Sequence, residues 1–329
     1  MSGDRARAEF AAETDGGRWR RQASRFTGRV SADGSSGWRA EPGAFHLVVS
    51  LACPWAHRQL IVRALKGLDD ALPVTIVDPW RDERGWRFNT EVDATWPEYR
   101  PDPVAGRRYL SEAYLATDPA FEGRVTVPAL LDVATGEVVT NEFRVIDVQL
   151  NEAFDAFAAH PGVDLYPAAL RDRIDALDEV LYDEVNNGVY KAGFATDQAA
   201  YDEAFDTLFA RLDALEVDLA AQRYLCGDVL TLADIRLYTT LIRFDAVYHN
   251  HFRCNRRTLR EYPVLWAYLR DLYQTPGFGS TTDVDHIKRH YYTTHDTLNP
   301  TRIIPRGPVL DLDTPHGREA LGDREALGG

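Results

Sequence analysis

Cysteine is scarce in this chain of 329 residues, where the three present lie far apart, at positions 53, 226 and 254. This spacing argues against the disulfide framework of a small secreted domain and is typical of a protein in a reducing compartment. No apolar run is long enough to span a bilayer, and the N-terminal segment lacks the apolar stretch of a secretory signal peptide. The sequence therefore predicts a cytoplasmic protein with no membrane partner.

Positive charge is also in deficit, because 37 lysines and arginines stand against 51 aspartates and glutamates, for a net charge of -14. A strongly acidic chain is a poor partner for nucleic acid or for an anionic membrane surface. Hydrophobic residues at 45% and charged residues at 27% indicate a folded globular protein. The length predicts two packed domains.

The first half of the chain predicts alternating strands and helices. Residues 45–51 are an apolar run that predicts a buried strand. Pro54 suits the first turn of a helix, and Gly67 is placed to end it. Residues 72–77 predict a second strand, which the intervening helix would make parallel to the first.

The apolar period changes along the second half. Residues 125–142 still predict a two-stranded hairpin, after which a helix starts at Asn141 or Glu142. From about residue 169 onward, apolar side chains recur with the 3.6-residue period of amphipathic helices. We therefore predict an α/β part followed by an all-α part.

Cys53 lies where the first predicted strand meets the N-terminus of the first predicted helix. Free backbone N–H groups and the helix dipole favour a thiolate there. Reactive thiols of the thioredoxin fold occupy this position, usually with a second cysteine three residues later, where this chain has Ala56. We therefore predict a single nucleophilic thiol that needs an external thiol for its cycle. The alternative is a buried, inert cysteine, the common state of a single cysteine.

A Val-Pro pair supports the reactive interpretation of Cys53. Val127 and Pro128 precede a later predicted strand, and a proline here, often in the cis form, would lie opposite the thiol. The alternative is an ordinary proline at the edge or start of a strand. The combination of strand, Cys-Pro, helix and Val-Pro favours the reactive thiol.

Several longer motifs point to one family. They are SLACPWAHR, the Gly85-Trp86 pair, RVTVPALLD, NNGVYKAGFAT, LTLADIRLYTTLIRFD and a C-terminal run with HY, NP and GP. Together they resemble the glutathionyl-hydroquinone reductases, the Xi class of glutathione transferases, which is close to the omega class. The resemblance covers residues 45–317, nearly the whole chain.

The resemblance implies a fold, an assembly and an activity. The fold would be a thioredoxin-like domain followed by a helical domain, assembled as a homodimer. The activity would be reduction of glutathionyl-hydroquinones, with Cys53 as the nucleophile and Tyr190 and Tyr291 at the quinol pocket. A tyrosine there could stabilise the leaving quinol or donate a proton to it. The resemblance assigns binding of the thiol co-substrate to Trp86, Arg124, Val127 and Glu142.

Each of these residues also has a structural alternative. Trp86, Tyr190 and Tyr291 could be plain core or interface packing. Arg124 could belong to a surface ion pair instead of meeting a carboxylate. The backbone of Val127 would pair with the cysteinyl part of the co-substrate as in strand addition.

The chain departs from the family pattern at Phe143, where Glu142 is followed by phenylalanine in place of serine. The serine hydroxyl helps to hold the γ-glutamyl carboxylate of glutathione, and a phenyl ring cannot donate that bond. The co-substrate is therefore glutathione or another low-molecular-weight thiol, such as mycothiol.

The resemblance also divides the chain into segments. We expect an N-terminal extension at 1–44, a thioredoxin-like thiol-binding domain at 45–155, a helical domain at 156–277 and a C-terminal extension at 278–329 that packs near the active site.

Other signals are weaker. Thr231 and Asp234 have the spacing of a capping box at a helix start. His286 and His290 are four residues apart, but a zinc site needs more ligands in fixed geometry, so we predict structural histidines and no metal. Cys226 and Cys254 are expected to be ordinary cysteines of the helical domain.

Two other functions fit the same features. An omega-like reductase would share the single thiol and act on dehydroascorbate or mixed disulfides. A non-catalytic binding protein could have kept the fold, because a fold alone does not establish an activity. Rapid alkylation of Cys53 below neutral pH would separate a reactive thiol from an inert one.

Overall fold

The structure is a computed structural model that describes residues 13–91 and 98–322. The described strands are, in chain order, β1 (Thr14–Asp15), β2 (Arg18–Trp19), β3 (Arg29–Ser31), β4 (Gly37–Arg39), β5 (Phe45–Val49), β6 (Val74–Ile76), β7 (Arg81–Asp82), β8 (Gly85–Trp86), β9 (Ala129–Asp132) and β10 (Val138–Thr140). The described α-helices are α1 (Pro54–Lys66), α2 (Leu110–Thr117), α3 (Phe143–Glu152), α4 (Arg171–Leu181), α5 (Gly188–Gly193), α6 (Gln198–Asp218), α7 (Leu232–Arg243), α8 (His249–His251), α9 (Pro263–Tyr273) and α10 (Val284–Thr294).

The described residues form two compact units. The first unit contains Gln22–Pro161 and Asp285–Thr294, and the second contains Glu13–Arg21, Gly162–Val284 and residues 295–322. Nearly all of α10, from the predicted C-terminal extension, therefore belongs to the first unit. The functional meaning of the four expected segments stays a prediction.

The first unit is built on a four-stranded sheet with the order β10-β9-β5-β6. β5 pairs parallel with β6 and antiparallel with β9, and every residue of β5 is buried. The predicted parallel strand–helix–strand unit is therefore confirmed. The helix between the two strands, α1, ends at Gly67, whose φ of 64° is the left-handed conformation that a residue without a Cβ adopts at low cost.

The predicted hairpin and the helix after it are also present. β9 and β10 pair antiparallel, and Glu142 is the N-cap of α3, where its side chain accepts a hydrogen bond from the N–H of Arg144. A carboxylate at this end satisfies a backbone donor and interacts favourably with the helix dipole. Helices α1 and α3 pack against each other.

The second unit is helical, as the 3.6-residue period predicts, and α7 anchors it. The capping box at the start of α7 is confirmed, since the side chain of Asp234 accepts the N–H of Thr231 at 2.9 Å. The same carboxylate accepts the N–H of Leu225 at 2.8 Å and the hydroxyl of Tyr268 at 2.7 Å. Asp234 is fully buried, so these bonds replace the water it loses. None of the helices within residues 13–91 and 98–322 is long and apolar enough to cross a membrane.

Candidate active site

The turn between β5 and α1 places Cys53 at the helix N-terminus. Cys53 is the N-cap of α1, and its backbone N–H donates to the carbonyl of Ser50 at 3.0 Å. Pro54 is the first helical residue, where its missing N–H leaves no helical bond unmade. Cys53 is partly exposed. Cys53 therefore lies at the positive end of the helix dipole, which favours a thiolate.

Val127 lies against the sulfur of Cys53. The Val127–Pro128 peptide bond is cis, as predicted, and the thiol of Cys53 donates to the carbonyl of Val127 at 3.2 Å. The proline therefore does lie opposite the thiol. Val127 itself is buried.

Trp86 is held in β8 with its ring between charged and aromatic neighbours. Its ring stacks on His290 with centroids 4.8 Å apart, and the guanidinium of Arg81 lies 5.4 Å from its centroid. The indole N–H is buried, and no residue within the described parts of the chain accepts a hydrogen bond from it. Such an orphaned donor is suited to an acceptor on a ligand.

Two further predicted binding residues carry opposite charges. Arg124 is buried, with 8% of its surface exposed, so a surface ion pair does not describe its environment. Its backbone is held on both sides by the amide of Gln22, which accepts the N–H of Arg124 at 2.8 Å and donates to its carbonyl at 3.1 Å. Glu142 is partly exposed at the start of α3. The binding roles of Arg124 and Glu142 stay predictions.

Phe143, at the departure from the family pattern, packs in a buried aromatic cluster with Trp55. Its ring lies 4.5 Å from that of Trp55, and the guanidinium of Arg58 is 4.7 Å from the Trp55 centroid and 5.6 Å from the Phe143 centroid. Arg58 is fully buried. The side chain of Gln59 donates to the carbonyl of Phe143 at 2.8 Å. Phe143 therefore has its side chain packed into the first unit, and its backbone is tied to α1.

Helix α10 carries Tyr291 and the two histidines predicted to be structural, His286 and His290. Tyr291 is buried and contacts His290 edge to face, with centroids 5.3 Å apart. Nδ1 of His290 lies 2.8 Å from the carbonyl of Pro79, and Nε2 of His286 lies 3.3 Å from the hydroxyl of Ser50. These contacts join residues more than 200 positions apart, so no local sequence signal could have found them.

Tyr190 lies in the second unit, at the centre of an aromatic cluster on α5. Its ring stacks on Trp19 of β2 at 5.5 Å and contacts Phe252 at 5.3 Å. The guanidinium of Arg21 lies 4.9 Å from its centroid and donates from Nε to the side chain of Asn187 at 2.9 Å. The cluster packs Tyr190 tightly, and its role at a quinol pocket stays a prediction.

The weaker signals also have structural counterparts. Cys226 and Cys254 are buried in the second unit. His251 and His295 approach each other at 3.2 Å. Within residues 13–91 and 98–322, no group of three or more histidine, cysteine or acidic side chains is arranged to hold a metal ion.

Known proteins resemble this chain over nearly its whole length. Residues 52–152 match the family model of the glutathione S-transferase N-terminal domain, and residues 198–271 match that of the C-terminal domain. The glutathionyl-hydroquinone reductase YqjG of Escherichia coli (strain K12) is 48% identical over 316 residues, which cover 94% of this chain and 95% of that protein. The chain belongs to the Xi-class glutathione transferases, the family of the glutathionyl-hydroquinone reductases.

Solved structures of glutathione transferases agree with the fold described above. A glutathione transferase from Gordonia bronchialis superposes with a TM-score of 0.85 at 48% identity and covers 92% of this chain and 91% of its own. The glutathione-bound structure of YqjG from Escherichia coli K-12 gives a TM-score of 0.83 at 47% identity, with 90% and 99% covered. The predicted fold class, a thioredoxin-like domain followed by a glutathione-transferase helical domain, is confirmed.

Proposed function

We propose that this Xi-class enzyme reductively removes a low-molecular-weight thiol from conjugated hydroquinones, with Cys53 as the nucleophile. The observation that carries the proposal is the position of Cys53, partly exposed at the N-cap of α1. Ala56 occupies the place of a resolving cysteine, which favours a cycle completed by an external thiol. The relative from Escherichia coli, named a glutathionyl-hydroquinone reductase, supports the substrate class.

The proposed reaction has two steps. The thiolate of Cys53 attacks the sulfur of the aryl thioether, so that a sulfur–sulfur bond forms and the carbon–sulfur bond breaks. The ring carbon keeps the electron pair of the broken bond and takes a proton, which gives the free hydroquinone. A second thiolate then attacks the mixed disulfide, regenerates Cys53 and leaves as a symmetric disulfide.

The proton and the charge on the quinol need protein partners. We assign this role to the hydroxyls of Tyr190 and Tyr291, following the family resemblance. A phenol can donate a proton or a hydrogen bond to the quinol oxygen as negative charge develops there.

The first unit supplies groups suited to the thiol co-substrate. The buried N–H of Trp86 lacks an acceptor within the described residues and could donate to a ligand carbonyl. Arg124 could meet a carboxylate, Glu142 an ammonium, and the backbone of Val127 an extended peptide. These groups fit a γ-glutamyl peptide, and glutathione is bound in the structure of the Escherichia coli relative.

Phe143 leads us to propose that the natural thiol differs from glutathione at its γ-glutamyl end, with mycothiol as one candidate. A serine after Glu142 would offer a hydroxyl donor to the γ-glutamyl carboxylate, and Phe143 offers only its backbone. Loss of a hydrogen bond to a charged group weakens binding by about 1.5–3 kcal/mol, or about tenfold or more.

The test is a panel of thiols that includes glutathione and mycothiol, assayed with menadione conjugates and followed by product analysis. We expect free hydroquinone and a symmetric disulfide as products. No release of quinol from any conjugate, with turnover of dehydroascorbate instead, would replace the proposal with the omega-like activity.

Phe143→Ser tests the choice of thiol directly, with Phe143→Ala as its matched control. Both variants remove the ring that contacts Trp55, and only serine adds the hydroxyl. We expect kcat/KM for glutathione to be about tenfold higher in Phe143→Ser than in Phe143→Ala. Equal values in the two variants, with tight glutathione binding in the unmodified enzyme, would show that Phe143 does not determine the co-substrate.

We also propose that the enzyme is a cytoplasmic homodimer, by resemblance to its family. Sedimentation at micromolar concentration should give about twice the mass of the 37.1 kDa chain. A species at the mass of one chain would contradict the dimer without affecting the proposed chemistry.

A further inference from the structure

The turn that places Cys53 contains two hydrogen bonds to the buried residue Ser50. The carbonyl of Ser50 accepts the N–H of Cys53 at 3.0 Å, and its hydroxyl oxygen accepts the N–H of Ala52 at 3.3 Å. Ser50 is completely buried, so water does not compete for these bonds. A serine hydroxyl that bonds to a backbone N–H two residues later is a recognised way to stabilise a turn. The position of Cys53 at the start of α1 therefore depends on where the Ser50 hydroxyl points.

His286 is the side chain that reaches this hydroxyl from outside the turn. Its Nε2 lies 3.3 Å from the Ser50 oxygen across 236 positions of sequence, and the imidazole is 7% exposed. A hydroxyl has one donor and two acceptor sites, so Ser50 can accept from Ala52 and bond to His286 at the same time. The two bonds together hold the hydroxyl oxygen in one orientation.

Helix α10 holds His286 in place through its other end. His290 stacks on Trp86 with centroids 4.8 Å apart, and its Nδ1 lies 2.8 Å from the carbonyl of Pro79. The N–H of Arg81 donates to the hydroxyl of Thr294 at 3.2 Å. These contacts anchor the C-terminal part of α10, which gives His286 a fixed position relative to the turn.

We propose that His286 is a positioning residue for Cys53, which acts through Ser50 to hold the reactive turn in the geometry that activates the thiol. The proposal rests on the proposed role of Cys53 as the nucleophile. In this proposal α10 has a second role besides carrying Tyr291. The helix that supplies a predicted quinol-site tyrosine also orients the turn of the attacking sulfur.

The experiment compares His286→Gln with His286→Phe. Glutamine can place its side-chain amide near the position of Nε2 and keep the bond to Ser50. Phenylalanine keeps the aromatic ring, which meets Tyr99 edge to face at 6.3 Å in the unmodified protein, and loses the bond. The measured quantity is the second-order rate of iodoacetamide alkylation at Cys53 in the folded full-length protein, assigned by peptide mass. Cys226 and Cys254 are buried and should not interfere.

We expect His286→Phe to slow alkylation roughly tenfold, since a small misplacement of a reacting group has effects of this order or larger. His286→Gln should restore most of the rate. Ser50→Ala should slow alkylation as His286→Phe does. It also removes the bond to His286, so it tests the proposal if His286→Phe does not fold. The double variant, with His286→Phe and Ser50→Ala together, should be alkylated no more slowly than either single variant. All three variants break the same bond between Ser50 and His286.

Two results would overturn the proposal. Equal slowing in His286→Gln and His286→Phe would mean that the histidine serves only packing, and unchanged alkylation in His286→Phe and Ser50→Ala would mean that the link does not influence the thiol. Because alkylation uses no quinol conjugate, these results are independent of the proposed function. A protein with the expected alkylation pattern that fails to release quinol would refute the proposed function alone.

Discussion

Cys53 in the first unit and Cys254 in the second unit have the same side chain in different environments. Cys53 is partly exposed at the N-terminus of α1, and its thiol donates to the backbone carbonyl of Val127. Cys254 is completely buried in the second unit, and burial raises the pKa of its thiol, because the low-dielectric interior disfavours the thiolate. Burial raises the pKa of Cys226 as well. The comparison teaches that a helix N-terminus and access to solvent separate a candidate nucleophile from an inert thiol.

The largest expected effect follows from this comparison. Cys53→Ser should lower reductive cleavage of a thiol–quinol conjugate by at least about 10³-fold, because removal of an attacking nucleophile eliminates the covalent route. Cys226→Ser and Cys254→Ser should keep turnover near that of the unmodified enzyme, provided that they fold. Steady-state kinetics with circular dichroism as the folding control would measure this. Loss of turnover in a folded Cys226→Ser or Cys254→Ser would require an intramolecular disulfide cycle in place of an external thiol.

The same contrast explains what the sequence could predict. The position of Cys53 at a helix N-terminus was predictable because its pattern is local, in that a strand, a Cys-Pro pair and a helix follow one another within about twenty residues. The link from Ser50 to His286 spans 236 positions and leaves no local pattern. Resemblance to the family supplied Trp86 as a binding residue, but only the structure shows its ring on His290 and its orphaned N–H.

Tyr291 in the first unit and Tyr190 in the second unit are a second comparison. Tyr291 contacts His290 on α10, whereas Tyr190 stacks on Trp19 and lies near the guanidinium of Arg21. The sequence between residues 13 and 21 has no apolar period, so its packing on Tyr190 could not be predicted. A tyrosine hydroxyl that interacts mainly with charge on the quinol oxygen stabilises the transition state more than the ground state.

We expect Tyr291→Phe and Tyr190→Phe each to lower kcat by roughly 10- to 100-fold, with a smaller change in KM for the thiol. The variant with the larger loss identifies the principal donor and therefore the unit that supplies it. Steady-state kinetics with the thiol and the quinol conjugate varied separately give the two constants. A change confined to the KM for the thiol would show that the tyrosine concerned binds the thiol and does not act on the quinol.

Two buried histidines, His46 on β5 and His251 in the second unit, are a third comparison. Burial lowers the pKa of His46 from its usual 6.5 to about 4, and the positive charge of Arg100 adds to this effect. Burial lowers the pKa of His251 from 6.5 to about 4 in the same way, with Arg253 as the smaller cause. Nε2 of His46 lies 2.8 Å from the hydroxyl of Thr75, and Nε2 of His251 lies 3.2 Å from His295. Both rings are therefore neutral in the folded protein at neutral pH.

The smallest expected effect is a loss of stability in mild acid. As the pH falls below 6.5 the unfolded chain protonates each of these histidines, while the folded protein does not until about pH 4. The unfolded state then binds more protons, so acid favours unfolding, and at pH 5 each histidine should cost about 2 kcal/mol relative to pH 7 or above. His46→Gln and His251→Gln remove the titration and can keep a polar partner for Thr75 or His295. Urea unfolding at pH 7 and pH 5 should show a smaller acid loss in both variants, with His160→Gln, at an exposed position, as the control. If His46→Gln reduced the acid loss and His251→Gln did not, proton uptake by the second unit would not limit the stability of the protein in acid.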